Sequence, residues 1–211
     1  MLDAIIWDND GVLVDTASLF HDANKSALQT KGILMDEALF AKVSEKQGKS
    51  ILEYYAEQNS LSPQELNELI LTRRTTYTQL LKNGATFNQD AFTLIVQLKK
   101  KKIKNFMVTG SAKAELILEY APKSNLLSLF DGIVSADDYT HPKPHAEPFL
   151  CALNKWHIAA TNAIVVDDLP RGLIAARRAK LAAIRYNPFK EKSKYRNFSK
   201  FYQTLTEIID G

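Results

Sequence analysis

Hydrophobic and polar positions divide this 211-residue chain into stretches of different character. An apolar run beginning at Leu2 and continuing through Ala4-Ile5-Ile6-Trp7 predicts a short buried strand. From Thr16 to about Asn83 there is no comparable run. Apolar residues at Leu19, Phe20, Ala23, Ala27 and Leu28 recur at helical spacing instead, and Gly32 is placed to end that helix. Further helices are predicted over Glu37 to Glu45, over Ser50 to Gln58, and from Ser62 to about Leu81. The last has the clearest start, because Ser62-Pro63-Gln64-Glu65 combines a capping serine, a first-turn proline and a glutamate that reaches back.

From Asn88 onward helices and strands alternate. Helices are predicted from Asn88 to the lysine run at residues 99–102, and over Ala112 to Tyr120, Ala146 to Trp156 and Arg171 to Ala179. The strands between them are Ile103 to Thr109, Gly132 to Ser135, Ala163 to Val166 and Leu181 to Arg185, and a final helix is predicted near Phe201 to Ile209. This alternation argues for a parallel sheet covered on both faces. Ligands of such sheets sit beyond the carboxyl ends of the strands, so those ends are where chemistry is sought.

Composition narrows the field. Hydrophobic residues make up 45% and charged residues 24%, an ordinary globular balance. A formal net charge of +3 is too small to imply a nucleic-acid partner, but it suits attraction of small anions. Four lysines at 99–102 without interleaved aromatics read as a solvated helix end. The lone Cys151 excludes an internal disulfide framework and fits a reducing compartment. With neither a secretory leader nor a membrane-length apolar stretch in view, a cytoplasmic protein is expected, without a membrane partner.

Four strand ends carry reactive side chains. The first strand stops at Asp8-Asn9-Asp10-Gly11, where two carboxylates on the same side of an extended chain repel unless a cation or a shared proton lies between them. The second ends in Thr109-Gly110-Ser111 at a helix start, a place suited to anions, although Ser111 has the alternative role of capping that helix. Lys143 stands between Pro142 and Pro144 in a stiff loop. The fourth strand ends in Asp167-Asp168, which with Asp8 and Asp10 forms an all-oxygen set suited to magnesium.

In order and spacing these stretches resemble the motifs of the haloacid dehalogenase superfamily, in the subgroup that includes β-phosphoglucomutase and phosphoglycolate phosphatase. Asp8-Asn9-Asp10-Gly11-Val12 is similar to the first motif, Thr109-Gly110-Ser111 to the second, Lys143-Pro144 to the third, and Asp167-Asp168 with Gly172 to the fourth. Leu169 and Ala146 depart from the pattern, standing where a serine or threonine and a proline are usual. The resemblance implies a Rossmann-like α/β sheet of order 3-2-1-4-5, formed by residues 1–15 and 85–211, with residues 16–84 as an inserted helical cap.

The activity implied by the resemblance is Mg2+-dependent hydrolysis of a small phosphorylated metabolite, a sugar phosphate or phosphoglycolate. Asp8 would attack phosphorus to form an aspartyl-phosphate, and Asp10 would serve as acid and then base. Thr109, Gly110, Ser111 and Lys143 would hold the phosphoryl group. Magnesium would be held by Asp8, the backbone carbonyl of Asp10, Asp168 and, directly or through water, Asp167. Gln47-Gly48-Lys49-Ser50 resembles a substrate-contacting cap loop, with Gly48 and Lys49 as candidates. A phosphomutase and a weakly catalytic phospho-ligand binder are the alternatives, and a monomer or weak homodimer is expected.

Overall fold

A computed structural model of the chain describes residues 2–36, 38, 39, 43, 50–82, 84–189 and 198–210. They fall into two compact units, one of residues 1–15 and 86–211 and the other of residues 16–85.

The first unit is built on a parallel sheet. Strand β1 (Ala4–Trp7) is buried along its whole length and is flanked by β4 (Lys104–Val108) and β6 (Ala163–Asp167). Outside these lie β5 (Gly132–Val134) and β7 (Ala182–Arg185), giving the order β5-β4-β1-β6-β7. The numbering differs from the expected 3-2-1-4-5 because two further strands exist. β2 (Val14–Asp15) and β3 (Thr86–Phe87) pair antiparallel as a separate two-stranded sheet, with Val14 opposite Phe87 and Asp15 opposite Thr86. The five strands of the main sheet, taken alone in chain order, lie 3-2-1-4-5 in space.

Alternation along β1 divides its contacts between the two faces. Ala4 and Ile6 join the core of Phe106, Val108, Val165, Phe149 and Ala175, which is covered by the helices Glu147–Trp156 and Pro170–Arg178. On the opposite face the Trp7 ring meets Phe201 edge-on at 6.1 Å, and the indole N–H donates to Asn105 Oδ1 at 3.0 Å. Asn105 is fully buried, and its Nδ2 donates to Ile103 O at 3.0 Å, so this polar group in the core is satisfied.

The second unit is helical. Its described elements are α1 (Ala17–Gln29), α2 (Ile51–Gln58) and α3 (Pro63–Leu81), packed around Ala27, Leu28, Ile51, Leu52, Tyr55 and Leu69. The expected cap of the longest helix is present: Glu65 N donates to Ser62 Oγ, and Ser62 N donates to Glu65 Oε2 at 2.8 Å. Gly32, at φ +70°, follows α1, and the Ile33 amide returns to Leu28 O. The helix expected over Glu37 to Glu45 falls largely outside the described residues. Among those described, no helix is long and apolar enough to cross a membrane.

The core unit continues with α4 (Gln89–Lys100), α5 (Lys113–Tyr120), α6 (Glu147–Trp156), α7 (Pro170–Arg178) and α8 (Phe198–Asp210). A run of 3-10 turns over Ala121–Leu129, which the apolar spacing does not announce, joins α5 to β5.

Candidate active site

The central strand hands its first polar residue to the rim of the sheet. Asp8 N donates to Val166 O at 2.8 Å, continuing the ladder one residue beyond β1. The chain then reverses: Gly11 adopts φ +81°, its N–H donates to Val14 O, and the amides of Leu13 and Val14 both return to Asn9 O. A side chain is excluded at Gly11, because a Cβ there would stand 2.5 Å from Asp168 Oδ2.

Lys143 reaches this rim from the loop after β5. Its ammonium donates to Asp8 Oδ1 at 2.7 Å, Asp167 Oδ2 at 2.9 Å and Val108 O at 3.1 Å, which uses all three of its N–H groups. Burial works against this charge, yet the carboxylates of Asp167 and Asp8 hold its pKa above the ordinary lysine value. Asp8 is affected in turn. Burial and the charge of Asp167 outweigh the pull of Lys143 and raise its carboxyl to about 7.

Asp168 faces the same space. Its Oδ2 accepts from Asn187 Nδ2 at 3.0 Å and its backbone carbonyl accepts from Arg185 Nε at 2.9 Å, while Oδ1 is buried with no hydrogen-bond partner. Burial, then Asp8 and Asp167, pushes this carboxyl well above the usual range. One oxygen each from Asp8, Asp167 and Asp168 lie within 4.8 Å of one another. Three carboxylates against one ammonium, with an orphaned oxygen among them, form a donor set that fits a hard divalent cation. Gly172 keeps this set compact, since a Cβ at that position would stand 1.8 Å from Asp167 Oδ2.

The Asp10 carboxylate is turned elsewhere. Its Oδ2 accepts from Ser111 Oγ at 3.0 Å and from Thr109 Oγ1 at 3.4 Å. Ser111 therefore does not cap α5, where the Glu115 carboxylate takes the Ala112 amide instead. The anion pocket expected at this helix start differs in one respect. The Ser111 amide donates to Thr109 Oγ1 and the Lys113 amide to Asp137 Oδ2, so these N–H groups are already engaged. Gly110 is exposed, with no heavy atom within 4 Å of where a Cβ would sit.

The structure thus brings Asp8, Asp10, Thr109, Ser111, Lys143, Asp167 and Asp168 to one edge of the sheet, with Gly110 beside them. Gly48 and Lys49 lie outside the described residues. Several supporting groups are not evident from the sequence. Asn9 is fully buried; its Nδ2 donates to Glu119 Oε1 at 3.0 Å, and Tyr120 Oη donates to Asn9 Oδ1 at 2.8 Å. Burial, with the charge of Asp10 adding, pushes Glu119 well above the usual carboxylate range. Tyr139 Oη donates to Thr109 O at 2.9 Å. Asn187 alone carries a legible signal, as a polar residue just past the end of the fifth strand of the main sheet.

A model of haloacid dehalogenase-like hydrolases matches residues 5–186. The chain belongs to that family. A phosphorylated carbohydrates phosphatase of Thermotoga maritima is 26% identical over 186 residues, covering 87% of this chain and 84% of the relative. A (DL)-glycerol-3-phosphatase of Arabidopsis thaliana is 26% identical over 180 residues, covering 83% and 75%. In fold the hydrolase is similar to a β-phosphoglucomutase of Clostridium difficile, with TM-score 0.77, 23% identity and full coverage of both chains. With this family and these relatives, the chain is a phosphoric monoester hydrolase.

Proposed function

We propose that this hydrolase is a Mg2+-dependent phosphatase of small phosphorylated metabolites, of the sugar phosphate or phosphoglycolate type, acting in the cytoplasm. The observation that carries this reading is the Lys143 ammonium held between Asp8 and Asp167, with the unpartnered Asp168 Oδ1 in the same cluster. A nucleophilic carboxylate for phosphoryl transfer needs cationic compensation for the incoming phosphate, and this cluster has one fixed cation and donors for a second.

Asp8 is the nucleophile: its carboxylate oxygen forms a bond to phosphorus as the bond to the leaving alkoxide breaks. Asp10 gives that alkoxide a proton, and later takes one from the water that opens the aspartyl-phosphate. The hydroxyls of Thr109 and Ser111 hold the Asp10 carboxyl in the geometry observed and, with Gly110 and Lys143, bind the phosphoryl oxygens as substrate enters. Asp8, Asp167, Asp168 and the backbone carbonyl of Asp10 would hold magnesium, which when bound supplies charge neutralisation at the phosphoryl group. Residues 16–84 act as the cap, and substrate choice is assigned to it, with Gly48 and Lys49 as the contacting pair. Lys49→Ala should therefore raise KM for anionic substrates and leave kcat for a generic aryl phosphate unchanged. A monomer or weak homodimer is the working form.

The test is phosphate release across a panel of phosphorylated sugars, small acids and nucleotides, with magnesium and with chelator, using Asp8→Asn as control. Turnover of one compound class, abolished by chelator and by the substitution, is expected. No release from any compound would overturn the reading. Isomer interconversion without net release would replace it with a mutase.

A further inference from the structure

The loop that mounts Lys143 carries a second group of potential ligands on its outer side. His141 and His145 stand two residues before and after the lysine, and their rings lie 4.9 Å apart at 40°. Glu147, the first residue of α6, faces both: its Oε2 is 2.6 Å from His141 Nδ1 and 3.8 Å from His145 Nδ1. The two imidazoles and the carboxylate bring three ligand atoms within 4.8 Å of one another. This group is separate from the carboxylate pocket. The Lys143 ammonium is buried against Asp8 and Asp167, whereas His141 and His145 are open to solvent.

The carboxylate is already fixed in place. Glu147 Oε1 accepts from the Thr140 amide at 2.8 Å, and Oε2 from the His141 amide at 3.0 Å. Backbone donors that orient a ligand in this way are the usual support of a metal site. Pro142 and Pro144 restrict the backbone between the two imidazoles, so little chain entropy is left to lose when the rings are drawn together.

We propose that His141, His145 and Glu147 form a second cation site, selective for a borderline divalent ion such as Ni2+, Co2+ or Zn2+. Two imidazole nitrogens and one carboxylate suit such ions, whereas Mg2+ prefers oxygen donors and keeps its waters. Binding needs only local adjustment. The hydrogen between His141 and Glu147 moves to the outer ring nitrogen, and the gap opens from 2.6 Å toward the roughly 3 Å that two metal–ligand bonds of about 2 Å require. His145 Nδ1, which accepts from the Glu147 amide at 3.1 Å, turns its lone pair to the ion. Solvent completes the coordination. An ion there ties together the two ends of the segment that mounts Lys143, and so stabilises the folded chain by mass action.

The test uses untagged full-length protein, stripped with chelator and returned to excess Mg2+ to saturate the carboxylate pocket. NiCl2 is then titrated by calorimetry, and the thermal midpoint is followed in parallel. One saturable equivalent and a rise in midpoint are expected. The affinity should fall by about tenfold or more in His141→Ala and in His145→Ala. It should be unchanged in His157→Asn, which removes a remote histidine at a left-handed position (φ +54°) that asparagine tolerates, and in Asp168→Asn. Equal nickel-free midpoints for the histidine variants and the parent would show that folding is intact. Absence of a saturable equivalent overturns the proposal, as does full affinity in both loop-histidine variants. Loss of the site in Asp168→Asn overturns it too, by placing the nickel in the carboxylate pocket.

Discussion

The Lys143 ammonium and the Asp8 carboxylate meet at 2.7 Å, with side chains only 8% and 11% exposed. The pair is therefore largely out of water, and Asp167 shares the same ammonium at 2.9 Å. Removing the cation leaves buried carboxylates facing one another, a loss of about 3 to 5 kcal/mol for a broken buried pair. Lys143→Met is expected to lose phosphate release and to unfold at lower temperature. Added Mg2+ should raise its thermal midpoint more than that of the parent, as the ion supplies the missing charge. Thermal scans with and without MgCl2 would measure both effects.

Asp8 also makes a pH prediction. Its folded-state pKa of about 7 lies above the ordinary aspartate value of 3.8, so between these values the native state holds a proton that the unfolded chain has lost. Stability then falls as pH rises through that window, and the penalty is complete above about 7. Stability of the parent relative to Asp8→Asn, measured in chelator, should decline across the window. Mg2+ should flatten the decline, because a neighbouring cation favours the charged carboxylate.

Behind the nucleophile, Tyr120 Oη donates to Asn9 Oδ1 at 2.8 Å, inside a fully buried environment. Tyr120→Phe removes the donor and leaves the Asn9 oxygen unsatisfied, at a cost of about 1 to 3 kcal/mol. Because Asn9 sits between Asp8 and Asp10, kcat should fall as well, with KM changing less. Denaturant unfolding and steady-state kinetics on the one variant would separate the two.

Gly172 has no room for a methyl group. A Cβ there would stand 1.8 Å from Asp167 Oδ2, so Gly172→Ala must displace the carboxylate that Lys143 holds. Overpacking of this kind costs about 1 to 3 kcal/mol. Activity should drop and the Mg2+ concentration for half-maximal rate should rise, both read from phosphate release across a magnesium titration.

How far the sequence reveals this architecture depends on the range of each interaction. β1 and β6 are legible because each is a compact apolar run ending in a polar group, β4 because Phe106-Met107-Val108 runs into Thr109, and the reactive residues are legible because they mark those ends. β2 and β3, each of two residues, are too short to carry any period, and their existence changes the strand numbering. Ser111 shows how a local rule loses to a distant partner. A serine before a helix is a good cap, yet its hydroxyl goes to Asp10 across the fold. The contacts of Asn9 with Glu119 and Tyr120 span more than a hundred residues, and no spacing rule reaches that far.

The short β2–β3 ladder bears on ancestry. The core unit breaks off at Asp15 and resumes at Thr86, and these two residues are directly opposed partners. The cut ends are thus side by side, within reach of a tight hairpin, whatever length of chain is spliced between them. An exchange of the intervening segment between lineages would leave the register of β1 against β4 undisturbed. Residues 16–85 can accordingly diverge at a rate of their own, while the carboxylates at the rim of the sheet stay in place.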